Sequence, residues 1–255
     1  MSPRLRFALG AVRKAGLSTL DHFQNSVVVE MKADHSPVTV ADKNAEQILR
    51  DEIGREYPGE AILGEEQGLT GTGTTRWIID PIDGTKSFVA GVPLYATLLS
   101  FEVDGVPQLG VAYFPALDEM VYAERGLGCF WNEKPVGVTS RTTVQDGFLA
   151  CGGPNSMVKY GRWQGFEELS KVALATRTWS DAYGHCLVAT GRVDAMIDPV
   201  VSRWDLSAIR VIIEEAGGRF TDFNGGDPFA KGDFGLEAIS SNGHVHDQIL
   251  QVYRS

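Results

Sequence analysis

The chain reads as an α+β protein in which an antiparallel sheet packs on two N-terminal helices and a smaller α/β layer follows. Three observations predict this. Apolar residues recur at helical spacing near the N-terminus, at Leu5, Leu9, Val12, Leu17, Leu20 and Phe23. Between residues 95 and 131, short apolar stretches alternate with turn residues, as successive hairpin strands do. Past Val138 the pattern shifts to strands at 148–151 and 173–179 separated by a polar helical stretch at 159–169. With 255 residues, 43% of them hydrophobic, the chain can bury a large core, and one compact unit of two subdomains, 1–138 and 139–255, is expected.

In order, a helix over 4–23 bends near Gly16, where glycine weakens helical continuity. A short strand at 27–31, a polar turn at 32–37 and a strand at 38–40 lead to a helix opened by Asp42 and running past Leu49 to Ile53. Residues 61–66 form an apolar strand ending in Glu65 and Glu66. The Gly- and Thr-rich stretch 67–75 has no apolar anchor and predicts a mobile loop, the best lid candidate. The run from Trp77 to Ile79 is a buried strand that stops at Asp80-Pro81. Strands follow at 95–103 and 109–114 around an Asp104-Gly105 hairpin, then at 119–124 and 128–131. In the second half, a helix over 182–190 ends at Gly191, and a strand at 194–197 stops at Asp198-Pro199. A helix from Trp204 to Ala216 is terminated by Gly217-Gly218; strands at 220–223 and 238–240 and a helix at 246–252 close the chain.

The bulk numbers narrow the function. A net charge of −10 and a pI near 5.0 argue against a nucleic-acid partner. Cys129, Cys151 and Cys186 are widely spaced, with no Cys-x-x-Cys pair, so neither a zinc site nor a disulfide framework is indicated and a reducing cytoplasm fits. No apolar stretch is long enough for a signal peptide or a membrane span.

The stretch Trp77-Ile-Ile-Asp-Pro-Ile-Asp-Gly-Thr-Lys-Ser-Phe88 carries the chemistry. Asp80 and Asp83, with the Ile82 carbonyl between them, form a stiff set of oxygen ligands suited to a hard divalent cation such as Mg²⁺. Gly84 permits close backbone approach, and Thr85 starts a helix whose free amides suit phosphate. Ordinary Asp-Pro and Asp-Gly turns are the structural alternative.

This stretch resembles the Asp-Pro-Ile-Asp-Gly-Thr signature of the inositol monophosphatase superfamily of Mg²⁺-dependent, lithium-sensitive phosphomonoesterases. The segment Val38-Thr39-Val40-Ala41-Asp42 is similar to a second family element, Gly64-Glu65-Glu66 to a third, and Trp204 to Gly218 to the second signature. Lys32 is similar to a family lysine. The resemblance spans nearly the whole chain and implies a layered αβαβα sandwich of the sugar-phosphatase type. It also implies two to three Mg²⁺ ions: one on Glu65, Asp80 and the Ile82 carbonyl, a second on Asp80, Asp83 and Asp205. Thr85, partnered by Asp42, would steer the attacking water, with Glu65 also catalytic, while Asp83, Gly84 and Thr85 hold the phosphate. For Asp42 and Asp205 a plain helix cap or dipole partner is the alternative, and for the Glu65–Glu66 pair a solvated acidic face.

The leaving alcohol of the small-molecule phosphate ester must be read elsewhere. The resemblance places Asp181, Ala182, Asp198 and Arg203 around it. The run Trp179-Ser-Asp-Ala-Tyr-Gly-His185 is similar to the bacterial histidinol-phosphate phosphatase branch, whose substrate carries an ammonium. Asp181 as a helix cap, a broad inositol monophosphatase, and a non-catalytic metal- or phosphate-binding regulator are the competing readings. Family analogy also implies a homodimer, and the lack of a membrane-length apolar stretch argues against a membrane partner.

Overall fold

The computed structural model describes residues 1–25, 29–31 and 37–254. Among these, an eight-stranded sheet runs in the spatial order Lys134–Val136, Gly128–Trp131, Glu119–Glu124, Val106–Phe114, Ala96–Val103, Thr75–Asp83, Ala61–Gly64, Gly68–Thr70. Its pairs are antiparallel except Ala61–Gly64 against Thr75–Asp83. A five-stranded sheet has the order Ala175–Arg177, Phe148–Cys151, Ala195–Val201, Leu236–Ser241, Arg219–Thr221.

Side-chain alternation along the strands builds the layers. On one face of the large sheet Ile79, Leu99, Val111 and Tyr113 meet Leu5, Val12, Leu49 and Ile53 of the helices Pro3–Thr19 and Val40–Glu56. On the opposite face Leu98, Ala112 and Phe114 meet Leu187, Ile209 and Ile212 of the helices Asp181–Ala189 and Arg203–Glu215, which also cover Ala150, Met196 and Ala238 of the small sheet. The far face of that sheet, with Leu149, Ile197 and Ile239, is closed by Met157, Phe166, Leu169 and Ile249 from the helices Pro154–Lys159, Trp163–Val172 and His246–Arg254. The result is helix, sheet, helix, sheet, helix: the αβαβα sandwich.

Several local expectations are corrected. The first helix ends at Thr19 and passes Gly16 without breaking; a Cβ at Gly16 would lie 2.6 Å from the Tyr113 ring, so this glycine serves close packing on the sheet. Of the expected 27–31 strand, Val29–Met31 is present, paired with Pro37–Thr39. Residues 26–28 and 32–36, including Lys32, lie outside the described residues. The strand expected to stop at Asp80 continues to Asp83, and the one expected to stop at Asp198 continues to Val201. In both, the register against the neighbouring strand shifts after the Asp-Pro pair, between Asp80 and Asp83 and between Asp198 and Val201. An irregularity in the ladder tolerates a residue without an N–H and re-aims the carboxylates beside it. In the expected loop 67–75, Gly68–Thr70 is an edge strand paired with Ala61–Gly64, and no residue of 67–75 lines the cavity described next.

Candidate active site

A cavity of about 510 Å³ opens where the strand ends Asp80–Asp83 and Asp198–Val201 meet the N-termini of the helices Asp181–Ala189 and Arg203–Glu215. Glu65, Asp80, Ile82, Asp83, Gly84, Thr85, Asp181, Ala182, Asp198 and Asp205 all line it. A larger apolar groove of about 840 Å³ lies elsewhere, among Leu9, Tyr113, Met120 and Phe130. Its acids, Asp118 and Glu133, form no metal-holding cluster among the described residues, so chemistry rather than size identifies the site.

Asp80, Asp83 and Asp205 each offer a carboxylate oxygen within 4.8 Å of the others. Burial first, then the neighbouring charge of Glu65, Asp83 and Asp205, pushes the Asp80 carboxyl well above its usual range. Asp83 is pushed up by burial and by Asp181 and Asp205, against the Ala182 amide, which donates to Asp83 Oδ2 at 2.7 Å. Asp80 Oδ1 is buried with no hydrogen-bond partner. Like charges packed this tightly repel unless a cation lies among them, and a buried acceptor left unpartnered costs about 1 to 3 kcal/mol. The donor set therefore fits a hard divalent cation. Glu65 stands outside the tight trio but close enough to act on Asp80; its amide donates to the Ile79 carbonyl at 3.2 Å.

Asp42 is both a helix cap and a partner of Thr85. Its Oδ2 accepts from the Thr39 amide at 2.7 Å and the Thr39 hydroxyl at 2.6 Å, a capping box at the start of Val40–Glu56. Its Oδ1 faces Thr85 Oγ1 at 3.5 Å, while the same hydroxyl donates to the Ile82 carbonyl at 3.0 Å. Asp205 likewise accepts the Ser202 amide, at 2.5 Å, and still joins the acid trio. Gly84 has φ 78, and a Cβ there would lie 3.2 Å from both Asp181 Oδ2 and the Leu94 carbonyl, so only glycine suits this position.

Beyond the trio, Asp181 adopts φ 59, a left-handed conformation costly for a non-glycine residue, and burial pushes its carboxyl up against the pull of Ser180 and Lys86. Its Oδ2 accepts from the Ser180 hydroxyl at 3.1 Å, and Ser180, the N-cap of the helix, makes no side-chain cap bond. Asp198 is pushed well up by burial and by Asp181 and Asp205. Arg203 does not join them: its buried guanidinium turns away to Glu102, at 2.9 Å, and to Asp233, at 3.2 Å. Helical phase explains this, since adjacent residues of a helix point in different directions. The expected alcohol contact at Arg203 is thus replaced by a structural ion pair.

His185 was not singled out from the sequence, yet it lines the cavity. Its Nδ1 pairs with Ser240 Oγ at 2.6 Å, while Nε2, buried and without a hydrogen-bond partner, lies 3.9 Å from Asp198 Oδ2; burial pulls its pKa down to about 3, so it is neutral. The Trp179–His185 run was the available signal. Lys86 and Trp204 also line the cavity.

The inositol monophosphatase family matches the chain over residues 1–255. The histidinol-phosphatase of Chlorobaculum parvum is 41% identical over 246 residues, 95% of each chain. That of Mycobacterium tuberculosis is 39% identical over 228 residues, covering 87% of this chain and 86% of the relative. A solved IMPase of Thermotoga maritima superposes with a TM-score of 0.91 at 33% identity, over 99% of this chain and 97% of the other. Acid trio, layered sandwich and relatives agree: the chain belongs to the inositol monophosphatase family, as one of its phosphatases.

Proposed function

We propose that the enzyme hydrolyses L-histidinol phosphate to L-histidinol and phosphate with Mg²⁺, as a cytoplasmic step of histidine biosynthesis. The observation that carries the substrate is the pair Asp181 and Asp198, half-buried and buried respectively in the cavity beside the acid trio, with no Lys or Arg salt bridge to either among the described residues. Two carboxylates where the leaving alcohol lies suit an ammonium better than a polyol. The similarity to two histidinol-phosphatases supports the same choice.

Asp80, Asp83, Asp205, Glu65 and the Ile82 carbonyl would hold the cations. Bound there, divalent cations supply charge neutralisation for the phosphate and a lowered pKa for water. Asp42, anchored through Oδ2 by Thr39, presents Oδ1 3.5 Å from Thr85 Oγ1, which the Ile82 carbonyl also orients at 3.0 Å, and from there Thr85 would steer the attacking water's proton. Gly84 and Thr85 line the same cavity and would hold the phosphate oxygens.

The inositol-1-monophosphatase reading is the runner-up, because cations held by the acid trio would act on the phosphate and not choose the alcohol, and the solved Thermotoga maritima relative is an IMPase. A panel of histidinol phosphate, inositol 1-phosphate, fructose 1,6-bisphosphate and adenosine 3′,5′-bisphosphate with Mg²⁺ separates them. Each charge-assisted contact is worth about 1.5 to 3 kcal/mol, roughly tenfold to hundredfold, so histidinol phosphate should lead in kcat/KM by about two orders of magnitude. Asp181→Ala should narrow that lead chiefly through KM. A wild-type preference for inositol phosphate would leave the phosphatase and remove histidinol phosphate.

A further inference from the structure

We infer that Glu46 and Arg50 set the affinity of the site for its cation by gripping the turn that carries Glu65, an inference that rests on the metal-dependent phosphatase reading above. The two residues lie one turn apart on the buried face of the helix Val40–Glu56. Glu46 is fully buried; its Oε2 accepts the Glu66 amide at 2.7 Å and its Oε1 the Gln67 amide at 3.0 Å. Arg50 Nε donates to Glu46 Oε1 at 2.8 Å. From the same guanidinium, Nη2 donates to the Gly68 carbonyl at 2.6 Å and Nη1 to Thr70 Oγ1 at 2.9 Å. Of the five residues after Glu65, all but Leu69 are thus held by one helix. On its other side, the Glu65 amide is tied to Ile79, next to Asp80.

Gly64 belongs to this grip. A Cβ there would fall on Glu46 Oε1 and lie 2.7 Å from Arg50 Nη2, so the glycine ahead of Glu65 is required by the pair and not by the backbone, which needs no positive φ at this position. A buried ion pair is a poor stabiliser compared with apolar residues of the same volume. Here its charges are instead spent on the amides and carbonyl of a turn that has little apolar side chain to anchor it. With the grip loosened, Glu65 remains but its turn must be ordered when the cation binds, which weakens binding. Asp80, Asp83 and Asp205 stand on other elements and keep their places, so turnover at saturating cation is retained.

The test titrates metal-free full-length protein with Mg²⁺ and with Mn²⁺ by calorimetry, beside Mg²⁺-dependent phosphate release. Glu46→Gln should raise Kd about tenfold or more, with kcat at saturating Mg²⁺ within about threefold of wild type. Arg50→Lys keeps the ion pair but loses the fork to Gly68 and Thr70, and should raise Kd by a smaller factor, about threefold to fivefold; it carries the test should Glu46→Gln fail to fold. Proteolytic nicking within 66–70 should quicken in both variants and be suppressed by Mg²⁺, which a pair serving only global stability would not produce. Unchanged Kd in the folded variants, whatever their melting temperature, overturns the inference. Wild-type protein that binds neither Mg²⁺ nor Mn²⁺ overturns the phosphatase reading itself.

Discussion

Two groups of buried carboxylates lie at opposite sides of the start of the helix Arg203–Glu215, and the protein treats them differently. Glu102, fully buried, is met by Arg76 at 3.0 Å, Arg203 at 2.9 Å and the Ser207 hydroxyl at 2.7 Å, and Asp233 closes the network onto both arginines. Asp80 and Asp83 have no Lys or Arg ion pair among the described residues, and Asp80 Oδ1 has no hydrogen-bond partner. Arg203 and Asp205, two residues apart, thus belong to separate groups, one structural and one reserved for the site. Where a fold supplies its own counter-charge it is building scaffold. Where Asp80 and Asp83 have no Lys or Arg pair among the described residues, the arrangement fits an external cation.

The largest effect expected from that contrast is on turnover. Asp83→Asn or Asp205→Asn should lower kcat by about a thousandfold or more, since the site loses a ligand and a charge together, while the metal-free protein melts no lower than wild type because repulsion is relieved. Near-normal turnover at saturating Mg²⁺ would break the assignment of these acids. In the compensated group the outcome should reverse: Glu102→Gln leaves Arg76 and Arg203 to the partly exposed Asp233 and should cost about 3 kcal/mol in a denaturant titration, with the ranking of substrates unchanged in the folded fraction. A smaller and more selective loss is expected for Thr85→Ala, about a hundredfold in kcat with little change in Mg²⁺ affinity, because Thr85 acts on water. Equal losses in both would count against that role.

The smallest effect is a pH dependence. Asp80 and Asp83 have raised pKa values in the folded metal-free protein, so the folded state binds more protons than the unfolded chain, and their contribution to stability falls as pH rises above the ordinary value of 3.8 through the raised values. His185 and His246, pulled down to about 3 and about 4, act in the opposite direction as pH rises toward 6.5. Comparing wild type with Asp83→Asn cancels the histidines. The melting temperature gained by Asp83→Asn without metal should grow from pH 4 to pH 8; a constant gain would show that Asp83 carries no raised pKa.

Much of the site was legible because its acids sit in contiguous runs. Asp80 to Thr85 and Trp204 to Gly218 announce both the ligands and their helices, and the structure brings Glu65, Asp80, Asp83 and Asp205 to one cavity. What escaped depends on neighbours distant in sequence. Pro81 and Pro199 read as strand ends, yet each strand continues because the adjoining ladder shifts register there, a property of the pair and not of the strand. Residues 67–75 look unanchored because Glu46 and Arg50, which bind their backbone, read as an ordinary i,i+4 pair on a helix. Arg203 looked like part of the site by adjacency to Trp204, and its true partner Glu102 is 101 positions away.

The most direct measurement is calorimetric titration of the metal-free wild-type protein and of Asp83→Asn with Mg²⁺ at pH 8, repeated with inorganic phosphate present. Saturable binding by the wild type, strengthened by phosphate and weakened at least about tenfold in Asp83→Asn, is the predicted result. Equal binding by the two proteins, or none by the wild type, would contradict the claim that Asp80, Asp83 and Asp205 are a cation site built for a phosphate ester.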